Sequence, residues 1–278
     1  MKKKIILTII PVIAMVIVYL SLPSQEDTVK EEQISQILEQ HNLLFDVSNI
    51  SDLDYIEENN SIVLLNPRFE LKSELTALYD KIGTINDPQN TVVIFPMFTS
   101  SAYTEPGFYT YYRGECSIQC LTVKLNDNVR SESSGAAAQI LRLLGYEVIS
   151  DLHVTKNPDI LKKYDKVILL HNEYVTQEEF DAITSHPKVI YLYPNALYGK
   201  VQFNEKQNTI TLIRGHGYPE SSVSNGFDWQ YDNTHPYEFD TTCLNMEFYQ
   251  IDNGFMLNCY PEQIMPSNKY LLNTIKEL

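Results

Sequence analysis

The apolar positions of this chain fall into three patterns. Ile5–Leu22 is a run of 18 residues without a charge, preceded by Lys2, Lys3 and Lys4. At about 1.5 Å per residue a helix of this length spans about 27 Å, close to the hydrocarbon thickness of a bilayer. The second pattern, beside a short strand at Tyr146–Ile149 that Glu147 interrupts, is a set of continuous apolar runs, Thr91–Phe95, Val167–Leu170 and Val189–Leu192. They do not alternate with polar residues, as expected of strands covered on both faces in a parallel sheet. The third is helical spacing between the strands, in Glu70–Ile82, Ala136–Leu144, Pro158–Tyr164, a helix capped by Thr176 and ended by Pro187, and Asn268–Glu277. Glu179 stands three residues after Thr176, the spacing of a capping box. Gly145 is placed to close its helix as a C′ residue.

Strand, helix and strand in Asp165–Leu192 make a βαβ unit. In open α/β sheets the ligand crevice lies beyond the carboxyl ends of the strands. That rule selects His171-Asn172-Glu173-Tyr174 and Pro194-Asn195-Ala196-Leu197-Tyr198 as the functional loops. The expected fold is α/β, a three-layer and mostly parallel Rossmann-like sheet behind an N-terminal transmembrane helix. No Gly-x-Gly-x-x-Gly or Walker sequence accompanies it, so no nucleotide cofactor is expected.

The remaining chain reads in finer pieces. Gln25–Gln40 has the spacing of an amphipathic helix, and Ser61–Leu65 reads as a short strand. Thr99–Gly114 is dense in tyrosine and irregular. Val201–Phe203 with Thr209–Ile213, and Leu244–Ile251 with Gly254–Cys259, read as hairpins, the second turning at Asp252-Asn253-Gly254, a type I′ sequence. Between them Gly215–Asp240 is a long polar excursion in which Phe227, Trp229 and Tyr231 alternate with polar residues as in a strand. The organisation expected is an anchor or signal segment in 1–22, a stalk and small α/β addition in 23–90, and an α/β domain in 91–278.

Charge and cysteines narrow the function. The net charge is -15, which excludes a nucleic-acid binder relying on basic surface. The basic flank of the apolar run places the N-terminus inside. The run is long for a signal peptide, and Ser21-Leu22-Pro23 is a poor cleavage site, which favours an uncleaved membrane anchor over a secreted form. The rest of the chain is then extracytoplasmic. The matches Asn49-Ile50-Ser51 and Asn59-Asn60-Ser61 agree with export. Four cysteines outside the cytosol permit three disulfide connectivities. Cys243 and Cys259 fall on neighbouring elements near the sheet end and are expected to pair, leaving Cys116 with Cys120. Their spacing does not suit a zinc site, and His216, Asp228, Asp232, His235 and Asp240 match no metal motif.

Two stretches carry a resemblance. GFMLNCYPEQIMPSNKYLLNTIKEL, ending at Leu278, resembles the close of class I glutamine amidotransferase domains, where a strand runs into His-Pro-Glu and a terminal helix follows. YDKVILLHNEYVT and KVIYLYPNALYG are similar to that family's oxyanion-side strand and to its strand into the nucleophile elbow. The resemblance covers about Thr91 to Leu278. It implies the family's three-layer fold with a degenerate site. The elbow Gly-x-Cys-x-Gly is replaced by Pro194–Tyr198 without a cysteine, and the family's histidine position falls on Tyr260, while Pro261 and Glu262 fit. Tyrosine is a poor general base at neutral pH, so thiolate chemistry is not expected. The expectation is a binding or interaction module for a small-molecule, glycan or protein ligand. Its crevice would be lined by His171, Asn172, Glu173, Asn195, Tyr198, Tyr260 and Glu262. The alternative is a hydrolase of amide or glycan substrates using Glu262 or Glu173 as acid/base.

Overall fold

A computed structural model describes residues 42–48, 55–58, 61–64, 67–126, 134–231 and 243–278. The apolar run 5–22, the helical spacing of 25–40, both glycosylation matches as whole triplets, and Asp232, His235 and Asp240 lie outside the described residues. No helix among the described residues is long and apolar enough to cross a membrane.

The strands are β1 (Phe45–Val47), β2 (Tyr55–Glu58), β3 (Ser61–Leu64), β4 (Phe69–Leu71), β5 (Thr91–Phe95), β6 (Thr122–Lys124), β7 (Glu147–Ser150), β8 (Lys166–Leu169), β9 (Tyr174–Val175), β10 (Val189–Tyr191), β11 (Gly199–Asn204), β12 (Thr209–Arg214), β13 (Phe248–Ile251) and β14 (Gly254–Leu257). The helices are α1 (Thr76–Ile82), α2 (Met97–Ala102), α3 (Phe108–Tyr112), α4 (Gly135–Leu143), α5 (Asp151–Lys156), α6 (Gln177–Thr184) and α7 (Lys269–Glu277). The main sheet runs β13-β14-β10-β8-β5-β7. All its pairings are parallel except β13 with β14. The fold is therefore α/β and Rossmann-like.

The continuous apolar runs are explained by two cores, one on each face. Val93, Ile168 and Ile190 share a row of the sheet and pack with α4 and α7 through residues such as Ile140, Leu141, Leu272 and Ile275. Their neighbours Val92, Ile94, Val167, Leu169, Val189 and Tyr191 enter the opposite core with Val154 of α5 and Ile183 of α6. The period of two along each strand sends alternate residues to opposite faces, and both faces are buried. Phe45 and Phe69 of β1 and β4, with Tyr79 of α1, join the first core.

Several local expectations change. Glu70–Ile82 is not one helix: it begins in β4, passes through a 3-10 turn at Ser73–Leu75 and becomes helical only from Thr76. Burial of Phe69 against Phe45 (ring centroids 6.2 Å apart) outweighs the helical periodicity there. Pro158–Lys163 is a 3-10 helix. Thr99–Gly114 contains most of α2 and all of α3. Phe227, Trp229 and Tyr231 form no strand: their rings pack on the second core, Phe227 stacking on Phe180 of α6 at 4.1 Å. Thr176 does cap α6, accepting from the Glu179 N–H, but the capping box is not completed, because both Glu179 carboxyl oxygens are buried with no hydrogen-bond partner.

Two glycines have separate reasons. Gly145 closes α4 with φ +95°, and the bonds Gly145 N to Arg142 O and Tyr146 N to Leu141 O complete a Schellman motif. The β13–β14 hairpin forms, but Gly254 has no positive φ and the turn is not type I′. Gly254 is required instead by contact, since a Cβ there would lie 1.8 Å from the Val189 carbonyl oxygen.

A second sheet, β6-β12-β11-β9, lies alongside. Its strand β9 follows the loop after β8 and pairs parallel with β11, which follows the loop after β10. The two loops selected from sequence are thereby joined to a common edge. The cysteines pair as Cys116–Cys120 and Cys243–Cys259, and none among the described residues is free.

Candidate functional site

Three strand ends build the site. β8 runs into His171-Asn172-Glu173, β10 into Tyr193 and the turn to Tyr198, and β14 into Cys259-Tyr260-Pro261-Glu262. Because β14, β10 and β8 are adjacent and parallel, side chains far apart in sequence arrive together. The His171 ring stacks on Tyr193 (centroids 5.0 Å, planes 9° apart) and meets Tyr260 edge-on at 5.3 Å. Its Nε2 lies 3.4 Å from the Tyr260 hydroxyl and 3.8 Å from a Glu173 carboxyl oxygen.

Glu173 is the buried centre, with no exposed surface. Tyr103, the C-cap of α2, donates its hydroxyl hydrogen to one carboxyl oxygen, and His216 Nε2 bonds to the other. Burial alone would raise the carboxyl's affinity for a proton; His216, His171 and the Tyr103 hydroxyl outweigh it and hold Glu173 below the usual carboxylate range. The tyrosines respond oppositely. Burial, then the nearby Glu173 charge, raises Tyr103 well above its ordinary value, and burial with the Glu262 charge does the same to Tyr193. Both remain hydrogen-bond donors at neutral pH.

Glu262 has a structural assignment. Its Oε1 accepts the backbone N–H of Ala136 in the first turn of α4, and its Oε2 accepts the Tyr193 hydroxyl. A carboxylate at a helix N-terminus satisfies an orphan donor and complements the dipole. Ser134, at φ +67° just before this helix, accepts the His171 N–H on its Oγ at 2.8 Å.

Of the residues selected from sequence, His171, Glu173 and Tyr260 meet directly. Tyr198 meets His216 edge-on at 4.5 Å. Glu262 joins through Tyr193. The Asn172 carbonyl accepts from the Leu197 N–H, tying the two loops together. The Asn172 amide and Asn195 Oδ1 are buried without hydrogen-bond partners among the described residues. Ala196, at the centre of the turn after β10, is buried, and the left-handed residue of that turn is Leu197 (φ +59°). Asp228 is bound to Arg214 at 2.7 Å, away from His216's partner Glu173. No three His, Cys, Asp or Glu side chains among the described residues come together as a metal set.

Sequence reasoning did not select Tyr193, Tyr103, Tyr112 or His216 for the crevice, and it reached Tyr174 only as the end of its loop. The tyrosine-dense stretch 103–112 and the Gly-His-Gly at 215–217 were visible signals, but only the fold brings the two beside Glu173. Neither a protein-family model nor a curated protein matches this chain.

Proposed function

We propose that this chain is an extracytoplasmic ligand-binding module, held to a membrane by its N-terminal apolar run, on a degenerate scaffold like that of the class I amidotransferases. Its site is the tyrosine- and histidine-lined crevice over β8, β10 and β14. The observation that carries this reading is the state of the two carboxylates. Glu173 and Glu262 are both engaged by internal donors, while the rings of Tyr109 and Tyr260 border the site with part of their surface exposed. Aromatic rings with polar tips suit a ligand that has both apolar and hydroxyl surface.

Two observations support the scaffold and the compartment. The parallel strand order with a terminal helix supports the scaffold reading, on which Ala196 and Tyr260 would stand where the resembled family has its thiol and imidazole. The two disulfides suit an oxidising compartment. Hydrolysis through Glu262 or Glu173 fits less well. An acid/base group needs a pKa near the working pH and access to the substrate; Glu173 is fully buried with its pKa lowered, and Glu262 caps α4.

The test is a thermal-shift screen of the full chain in detergent against oligosaccharide fragments and small amides, repeated with Tyr260→Ala. A ligand at 100 times its Kd stabilises by about 2.7 kcal/mol. We expect a stabilising ligand whose effect is lost in Tyr260→Ala. Turnover of an amide or glycan that disappears in Glu262→Gln would replace the binding reading with the hydrolytic one.

A further inference from the structure

The His216 imidazole is clamped in an aromatic box. Tyr112 stacks on one side (centroids 5.2 Å, planes 27° apart) and Tyr174 on another (5.5 Å, 18°). Tyr198 meets it edge-on at 4.5 Å and Tyr109 at 6.3 Å. At its end the ring meets the Glu173 carboxylate. Tyr112 and Tyr174 lie near-parallel to the imidazole and turn their negative faces toward it, and with the Glu173 carboxylate at the end they form a receptor for an organic cation. The Tyr174 wall is closely packed: its ring is fully buried and lies against Gly199, where a Cβ would come within 2.5 Å of it.

The occupant is presented differently from the walls. His216 sits on the tip of the loop after β12, between Gly215 and Gly217, and all three have positive φ (124°, 53° and 75°). Left-handed backbone at a non-glycine residue persists only where surroundings enforce it. Among the described residues, the backbone hydrogen bonds of the tip close within it: Gly215 with Tyr218 in both directions, His216 N to Ser224 O, Gly217 N to Val223 O. The tip is thus stitched to itself and seated beside the box, where Gly215 packs against Tyr198 and Gly199, the Gly226 N–H donates to the Tyr198 carbonyl, and the His216 side chain and the Tyr218 ring beside Tyr111 (6.2 Å) complete the contact. His216 is 20% exposed whereas Glu173 is not exposed at all, so the imidazole is the member of this pair that solvent reaches.

We infer that His216 is a tethered occupant of an organic-cation site, displaced when an ammonium group enters the box of Tyr112, Tyr174 and Tyr198 and takes over the Glu173 carboxylate. This names a ligand class for the crevice and rests on the binding reading above. It adds a charge requirement and a built-in competitor that the binding reading does not need.

The experiment is calorimetric titration of the full chain in detergent with choline and with its uncharged carbon isostere dimethylbutanol. It is run on the wild type, on His216→Gly, which leaves the positive φ unstrained, and on His216→Gly with Glu173→Gln. Choline is expected to bind the wild type weakly and His216→Gly about tenfold more tightly, with the isostere about tenfold weaker than choline. Glu173→Gln removes the preference for charge. In parallel, NMR of the wild-type His216 ring follows its release as choline is added, a readout that stands even if a variant does not fold. Sedimentation with phosphatidylcholine vesicles assigns the ammonium to a lipid headgroup; choline binding without sedimentation assigns it to a soluble amine. Equal binding of choline and isostere, or a His216 ring that does not move while choline binds, overturns the inference. Glycan binding sensitive to Tyr260→Ala but indifferent to His216→Gly would leave the binding reading standing and remove only the cation site.

Discussion

Glu262 Oε1 accepts the backbone N–H of Ala136 at 2.9 Å across 126 positions of sequence. The contact fastens the segment after β14 to the start of α4, and the same carboxylate holds the Tyr193 hydroxyl under His171. The acidic residue that most resembles a catalytic group is thus a cap. Glu262→Ala leaves two donors without their acceptor and is expected to destabilise by about 2–4 kcal/mol. Glu262→Gln, which keeps acceptor capacity, should cost about 1–2 kcal/mol. Urea denaturation measures both; a Glu262→Ala variant as stable as the wild type would refute the capping role.

Glu179 is expected to be a stability liability at neutral pH. Its carboxyl is fully buried without a hydrogen-bond partner, and burial, then the nearby Asp151, raises its pKa well above the usual range. The folded state therefore holds a proton that the unfolded chain releases, so stability is lost as pH rises past the ordinary carboxyl range. Glu179→Met should stabilise the protein at pH 7 by about 1–3 kcal/mol, a gain that shrinks as pH falls toward the unfolded carboxyl range. Chemical denaturation of the two proteins across this pH range checks the sign.

Lys166 gives the opposite slope. Its Nζ donates to the Ile275 and Lys276 carbonyls at the end of α7, at 3.1 and 2.9 Å. Burial, with Lys188 close by, lowers its pKa from 10.5 to about 8. Between these values the unfolded chain binds more protons than the folded one, so stability rises with pH in that window. The rise should be about 1–2 kcal/mol before tyrosine ionisation intervenes, and it should be absent in Lys166→Met.

The Cys243–Cys259 bridge closes a segment with a sequence separation of 16 and ends one residue before Tyr260. Loop-closure entropy for such a length corresponds to about 3 kcal/mol. Cys243→Ser with Cys259→Ser should lose about that much stability, whereas the short Cys116–Cys120 loop, with a separation of 4, should matter less. Non-reducing peptide mapping of protein from the native host should recover both bridges. Free thiols at Cys243 and Cys259 would argue against an oxidising compartment.

The main sheet was legible because its determinants are local. Thr91–Phe95, Val167–Leu170 and Val189–Leu192 are apolar without alternation, and a strand buried on both faces needs nothing else. Thr176 and Gly145 act within their own turns, so both helix ends could be read from a few residues. Glu70–Ile82 failed for the converse reason: its helical spacing was real, but Phe69 and Leu71 pair with β1 (Phe45–Val47), a partner more than twenty residues away. The short strand Tyr174–Val175 was invisible because its pairing with Gly199 and Lys200 exists only once β8 and β10 lie side by side.

The site divides in the same way. The sequence alone determined which loops stand at the strand ends, and so pointed to His171 and Glu173, while Tyr260 was selected through the family resemblance. Only the tertiary structure decided what those side chains do. Glu262 became a helix cap and Glu173 a buried carboxylate because their partners, Ala136, Tyr193, Tyr103 and His216, come from four other segments. Whether a carboxylate serves as acid, cap or ligand anchor depends on its burial and on the donors facing it. Those are properties of the assembled packing, to which no single stretch of the chain gives access.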